Sequence, residues 1–242
     1  MPALWQGMTD TQTACPPRER IQKAFEACLG EFSDSPIVRR IVSGECSVQA
    51  YQGILTQIFF QTRENPQLQG FATMRFRGSE RTQVGTFLAH ARSEVGHDEM
   101  ARQDLATLGC DVEDLPSGNP LPATSGLVSF AFQQALCERP AGYLGYLFFL
   151  EFTPTEAGQH YREGLLKAGI PAEAMTFLDE HIGIDPAHNR LMEVYLEELL
   201  LSDADVEHFI FSMKTTAKLY ELMLEQGAEV GFQPQGFGKE RS

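Results

Sequence analysis

The sequence predicts an all-α protein. Apolar residues recur at helical spacing nearly throughout the chain. No run combines period-2 alternation with β-branched enrichment, so nothing reads as a strand. The length of 242 residues and a hydrophobic content of 43% are ample for a real core. A loop at 111–125, marked by Pro116, Gly118, Pro120 and Pro122, could divide two domains. The segments on either side are too apolar to close cores of their own. The expectation is therefore one domain, 1–242, a bundle of seven to eight helices.

The elements follow in order. Ile21, Phe25, Cys28, Leu29 and Phe32 share a face and predict a helix over 18–32. Tyr51, Ile54, Leu55, Ile58 and Phe59 predict a second over 47–65, ended near Pro66. A long helix is expected from about Ser79 to Leu108, stopped by Gly109 as a C′ glycine. Two apolar helices, 125–138 and 141–166, are separated by Pro140. A further pattern runs from Pro171 to Leu201 with an interruption. Asp203 then caps a helix that reaches Gln226. Residues 1–15 and 227–242 read as mobile tails.

Charge and composition exclude several classes. Nineteen Lys and Arg against 33 Asp and Glu leave a net charge of −14, which disfavours nucleic acid and anionic membrane surfaces as partners. The longest apolar run, Tyr143 to Leu150, is too short to span a bilayer. The start of the chain lacks the pattern of a secretory signal. The five cysteines (Cys15, Cys28, Cys46, Cys110 and Cys137) include no CxxC pair and read as reduced thiols in a cytoplasmic protein.

The chemistry lies in the histidines. Four of the six form one pattern used twice: His90-x3-Glu94-x2-His97 and His181-x3-Asp185-x2-His188. On a helix, offsets of 0, 4 and 7 fall within about 60° of one another, so each triplet points one way. Composition alone yields roughly 0.02 copies of such a triplet in a chain of this kind. Imidazole with carboxylate suits borderline metals, iron in particular. His160 and His208 lack such company and read as ordinary histidines.

Glu151 is a second anomaly, because it closes the apolar run 143–150. A bare carboxylate there loses hydration at a cost of several kcal/mol. It must protonate, meet an arginine or bind a metal. The metal-type triplets favour the last. In the second triplet, Gly183 and Asp185-Pro186 predict the end of one helix and the start of another.

Together these residues resemble the haem-oxygenase-like diiron oxidases. The resemblance rests on Glu94-x2-His97, Leu150-Glu151 and His181-x3-Asp185-x2-His188, in that order along about 240 residues, and covers roughly 79–201. It implies a seven-to-eight-helix haem-oxygenase-like bundle, often a homodimer. It implies two Fe2+ held by Glu94, His97, Glu151, His181, Asp185 and His188, with His90 an extra ligand or an outer partner. Such enzymes use O2 as co-substrate, with an external electron donor possible. They oxidise small amino or carboxylic acids by decarboxylation, C–C cleavage or N-oxygenation. Relatives that consume their own tyrosine carry it beside the bridging glutamate. Leu150 stands there, which disfavours a self-sacrificing reaction.

Phe87, Phe148, Phe152 and Phe177 are the expected pocket walls. Arg92, Arg102, Arg162 and Arg190 are candidate anchors for an acidic substrate. Rival readings are a thiamin-salvage hydrolase of the TenA type using Cys137, a cofactor-free oxidase of the same fold, and a non-catalytic iron or oxygen carrier.

Overall fold

The structure is a computed structural model that describes residues 16–183, 185–200 and 202–234, without the side chains of residues 185–189. The described residues form α-helices and short 3-10 turns and contain no strand, as the periodicity predicts. The helices are α1 (Pro17–Ser33), α2 (Pro36–Ser43), α3 (Val48–Thr62), α4 (Asn65–Thr73), α5 (Val84–Ser93) and α6 (His97–Thr107). They continue with α7 (Pro122–Ala135), α8 (Ala141–Lys167), α9 (Thr176–Gly183), α10 (Asp185–Leu199) and α11 (Asp203–Val230). Among the described residues the helical segments outnumber the expected seven or eight because long periodic patterns are cut.

Each cut has a local cause. Residues 63–64 separate α3 from α4, and Pro66 opens the second of them instead of ending the first. The expected long helix over 79–108 is a 3-10 turn, Gly78–Gln83, followed by α5 and α6. Gly96 sits between those helices at φ 101°, a left-handed conformation that glycine adopts without a Cβ penalty. Ser47 caps α3, its Oγ accepting from the Ala50 N–H at 3.1 Å. Ser202, not Asp203, caps α11 through the Asp205 N–H. That helix runs to Val230, past the expected limit at Gln226, so residues 227–230 are helix and not tail. Residues 1–15 and 235–242 lie outside the described residues.

Helix α8 forms the centre. Residues 141–149 are buried all round, which is why that stretch is apolar on every face. It packs on α11, α9, α2, α10 and α7. The contact with α11 is close because Gly145 has no side chain: a Cβ there would lie 2.2 Å from the Phe209 carbonyl oxygen. Gly145→Val is expected to lose about 3 kcal/mol by overpacking, read as a lowered midpoint in thermal unfolding. Arg139 fastens the far end. It meets Glu80 at 2.6 Å and Asp205 at 3.0 Å, joining the turn before α5 to the start of α11. Among the described residues no helix is long and apolar enough to cross a membrane.

Candidate metal centre

Four helices deliver the histidines and carboxylates to one buried place. His90 comes from the last turn of α5, and Glu94 is the residue that ends that helix. The turn through Gly96 then starts α6 at His97. Glu151 comes from the middle of α8, and His181 from the last turn of α9. His90, Glu94 and His97 are only 3%, 4% and 8% exposed, so little water reaches them.

The side chains fall into two overlapping groups. His90, Glu94 and Glu151 offer ligand atoms within 4.8 Å of one another, and so do Glu94, His97 and His181. Glu94 belongs to both. One of its oxygens faces His90 Nε2 at 3.8 Å, and the other faces His97 Nδ1 at 3.4 Å. Glu151 Oε1 approaches His90 Nε2 at 3.3 Å. The fold brings both His90 and Glu94 to the site. His90 and Glu94 meet one turn apart on α5, and His97 joins them across the turn at Gly96. A continuous helix is not what aligns the triplet.

The second triplet is described in part. His181 is in place, its ring edge-on to His97 with centroids 4.9 Å apart. Helix α9 is described to Gly183 and α10 from Asp185, and the expected break falls at Ile184, which lies outside the described residues. The side chains of Asp185 and His188 lie outside the described residues.

The protonation state of His181 suits a metal. His181 Nδ1 donates to the Phe177 carbonyl at 2.7 Å, which leaves Nε2 as the free lone pair. Burial lowers the His181 pKa, outweighing that hydrogen bond, so the ring is neutral near pH 7. Burial also acts to lower His97, but the hydrogen bond and charge of Glu94 outweigh it and the net shift is upward. Imidazoles and carboxylates gathered with little water fit iron, which takes nitrogen and oxygen donors of this kind.

Several supporting residues carry no signal in the sequence. Asp104 is fully buried on α6, two turns beyond His97. Its carboxylate accepts from the Thr176 N–H at 3.0 Å, the Thr176 hydroxyl at 2.7 Å and the Phe177 N–H at 3.0 Å. It thus caps α9, the helix that carries His181. Tyr143 and Tyr195 are buried phenols beside the carboxylates. Burial pushes both pKa values up, and the charge of Glu151 adds to it.

Other expected residues sit elsewhere. Phe87 packs on Phe76 and Tyr195, and Phe148 stacks on Phe152. These three are core, and only Phe177 walls a cavity near the site. Arg102 pairs with Glu99 and Arg162 with Asp179, while Arg92 and Arg190 are exposed. Cys137 lies just past α7, and its thiol donates to the Gln133 carbonyl. Burial pushes that thiol up, against a smaller opposite effect of Arg75, the reverse of what a nucleophile needs.

The comparisons with known proteins agree with this geometry. Residues 52–221 match the family described as iron-containing redox enzymes, which is well over half of the chain. The chain belongs to that family. Among solved structures, a domain of unknown function with a heme oxygenase-like fold from Shewanella denitrificans OS217 is similar. Its identity is 24% and its TM-score 0.74, over 88% of this chain and 90% of that one. A TenA homologue from Pseudomonas syringae pv. tomato DC3000 has a TM-score of 0.74 at 13% identity, over 88% of this chain and 93% of its own. The TenA homologue of P. horikoshii OT3 gives 0.72 at 13%, over 90% and 100%. At such identities these likenesses show the fold, a haem-oxygenase-like all-α bundle. No curated protein sequence matches the chain.

Proposed function

We propose that this iron-containing redox enzyme is a non-haem diiron oxidase or oxygenase that uses O2 to oxidise a small organic substrate. The observation that carries the reading is Glu94, a buried carboxylate shared by two overlapping groups of donors. His90 and Glu151 complete one group, and His97 and His181 the other. Asp185 and His188 join the ligand set by their spacing in the second triplet. Iron held by these residues would supply the redox chemistry toward dioxygen, with electrons from an external donor.

The chain's own residues do the rest. The hydrogen bond from His181 to Phe177 fixes one tautomer, so no proton has to leave the ligating nitrogen. The apolar run of α8 excludes water around Glu151, which strengthens every charge interaction in the site. The neutral phenols of Tyr143 and Tyr195 border the carboxylates without adding charge.

Anaerobic loading with Fe(II), followed by iron counting and admission of O2, tests this. The expected result is two irons per chain and O2 uptake that accelerates with a substrate. A chain that keeps no iron would sink the reading. Reversible O2 binding without consumption would make the protein a carrier.

A further inference from the structure

The charges of this chain are unevenly placed. Between Asn65 and His97 the basic and acidic residues are Arg75, Arg77, Glu80, Arg81, Arg92 and Glu94. Both acids are buried, Glu80 against Arg139 and Glu94 in the metal centre. All four arginines are exposed. Every exposed charge of this segment is therefore positive, in a chain whose net charge is −14. Arg77 donates to the Met74 and Phe76 carbonyls, which pins its guanidinium just past α4.

The same segment leaves apolar side chains open. Phe71, Met74, Leu88 and Val95 are four of the eleven large hydrophobic residues exposed among the described residues. Met74 and Val95 are the most open of them, at 63% and 68%. Helices α4 and α5 pack against each other, so the two halves of the segment adjoin. Apolar side chains among charged ones are the composition of a protein-docking surface.

The segment also lies over the metal centre. On α5, Leu88 and Arg92 each stand about 160° around the helix axis from His90. His90 turns inward to Glu94 and Glu151, while Leu88 and Arg92 are open to solvent. The outer face of α5 is thus one helix width from the donors, about 10–12 Å. An electron tunnels readily across that span.

We infer that this face docks a small acidic iron–sulfur protein, and that its electron reaches the metal centre across α5. The inference rests on the diiron reading above for the electron's destination; the docking surface itself does not need it. A ferric ion takes one electron at a time, and a cluster carrier gives one. Each encounter oxidises the carrier by one electron and reduces one ferric ion to ferrous, so two encounters restore both irons. Opposite charge speeds and orients the encounter, and a small interface lets the spent carrier leave. The acidic remainder of the surface repels the carrier and confines it to this face.

The test uses the full, metal-free chain and an acidic plant-type [2Fe–2S] ferredoxin, read by titration calorimetry. The expected result is saturable binding that weakens at least about tenfold between about 20 and 200 mM salt. Arg75→Glu, Arg81→Glu and Arg92→Glu together are expected to weaken it at least about tenfold at low salt. Lys23→Glu, Arg39→Glu and Lys214→Glu change the net charge equally at other exposed places, and should leave the affinity within about twofold. Circular dichroism checks that both variants fold. No binding of ferredoxin, or an equal loss in the two triple variants, would overturn the docking face. So would a dimer of this chain in sedimentation that the arginine variant dissolves, since the occupant would then be a second copy. In iron-loaded protein, reduced ferredoxin below saturation is expected to bleach the ferric absorption about tenfold more slowly in the arginine variant. Equal rates would overturn the electron route. A chain that keeps no iron yet binds ferredoxin at this face would overturn the diiron reading alone.

Discussion

Glu94→Ala is expected to empty both halves of the metal centre in one step. Glu94 is the only residue common to the two donor groups found among the described residues. His90→Ala leaves Glu94, His97 and His181 together, and His181→Ala leaves His90, Glu94 and Glu151. On the proposed diiron reading, each of these two variants is therefore expected to retain one iron, whereas Glu94→Ala retains none. The loss of affinity should exceed the 10–100-fold, in order of magnitude, that follows removal of an outer partner. Iron per chain after anaerobic loading gives the answer, with far-UV circular dichroism as the check on folding. Two irons retained by Glu94→Ala would show that the carboxylate does not bridge.

Asp104→Ala is expected to weaken iron binding about 10–100-fold without touching a ligand. The reason is a chain of contacts across the bundle. Asp104 accepts from the Phe177 N–H, the Phe177 carbonyl accepts from His181 Nδ1, and His181 Nε2 is left for the metal. Removing the carboxylate also strands the Thr176 and Phe177 N–H groups, so about 3 kcal/mol of stability should go with it. Asp104→Asn keeps an acceptor oxygen and should restore part of both. A structural role alone would lower the unfolding midpoint and leave the His181 tautomer alone. The nitrogen chemical shifts of that ring separate the two cases.

Much of the fold was legible because helices print their faces into the sequence. The α8 run from Tyr143 to Phe149 has no polar side, and the structure puts it at the centre. The donors were legible for a different reason: imidazole and carboxylate at matched spacing are rare. The break at Gly96 was not, because a lone glycine inside a periodic pattern reads as a tolerated fault. Asp104 was hidden among the 33 acids, since an acid on an amphipathic helix ordinarily faces water. The aromatic walls failed on the same ground. Periodicity says that Phe87 and Phe148 face inward, but does not say whether they meet a ring or a cavity.

The last turn of α11 reaches further than composition suggests. Gly227 lies against Gly53, with so little room that a Cβ on Gly53 would fall 1.9 Å from the Gly227 carbonyl oxygen. Helix α3, which Gly53 belongs to, also supplies Ile54, Leu55 and Ile58 to the cavity that Phe177 and His181 help to wall. A stop codon after Gln226 would thus remove a buttress and not a trailing end. Carboxy-terminal trimming, a routine way to improve crystallisation or expression, should spare this protein's chain through Val230.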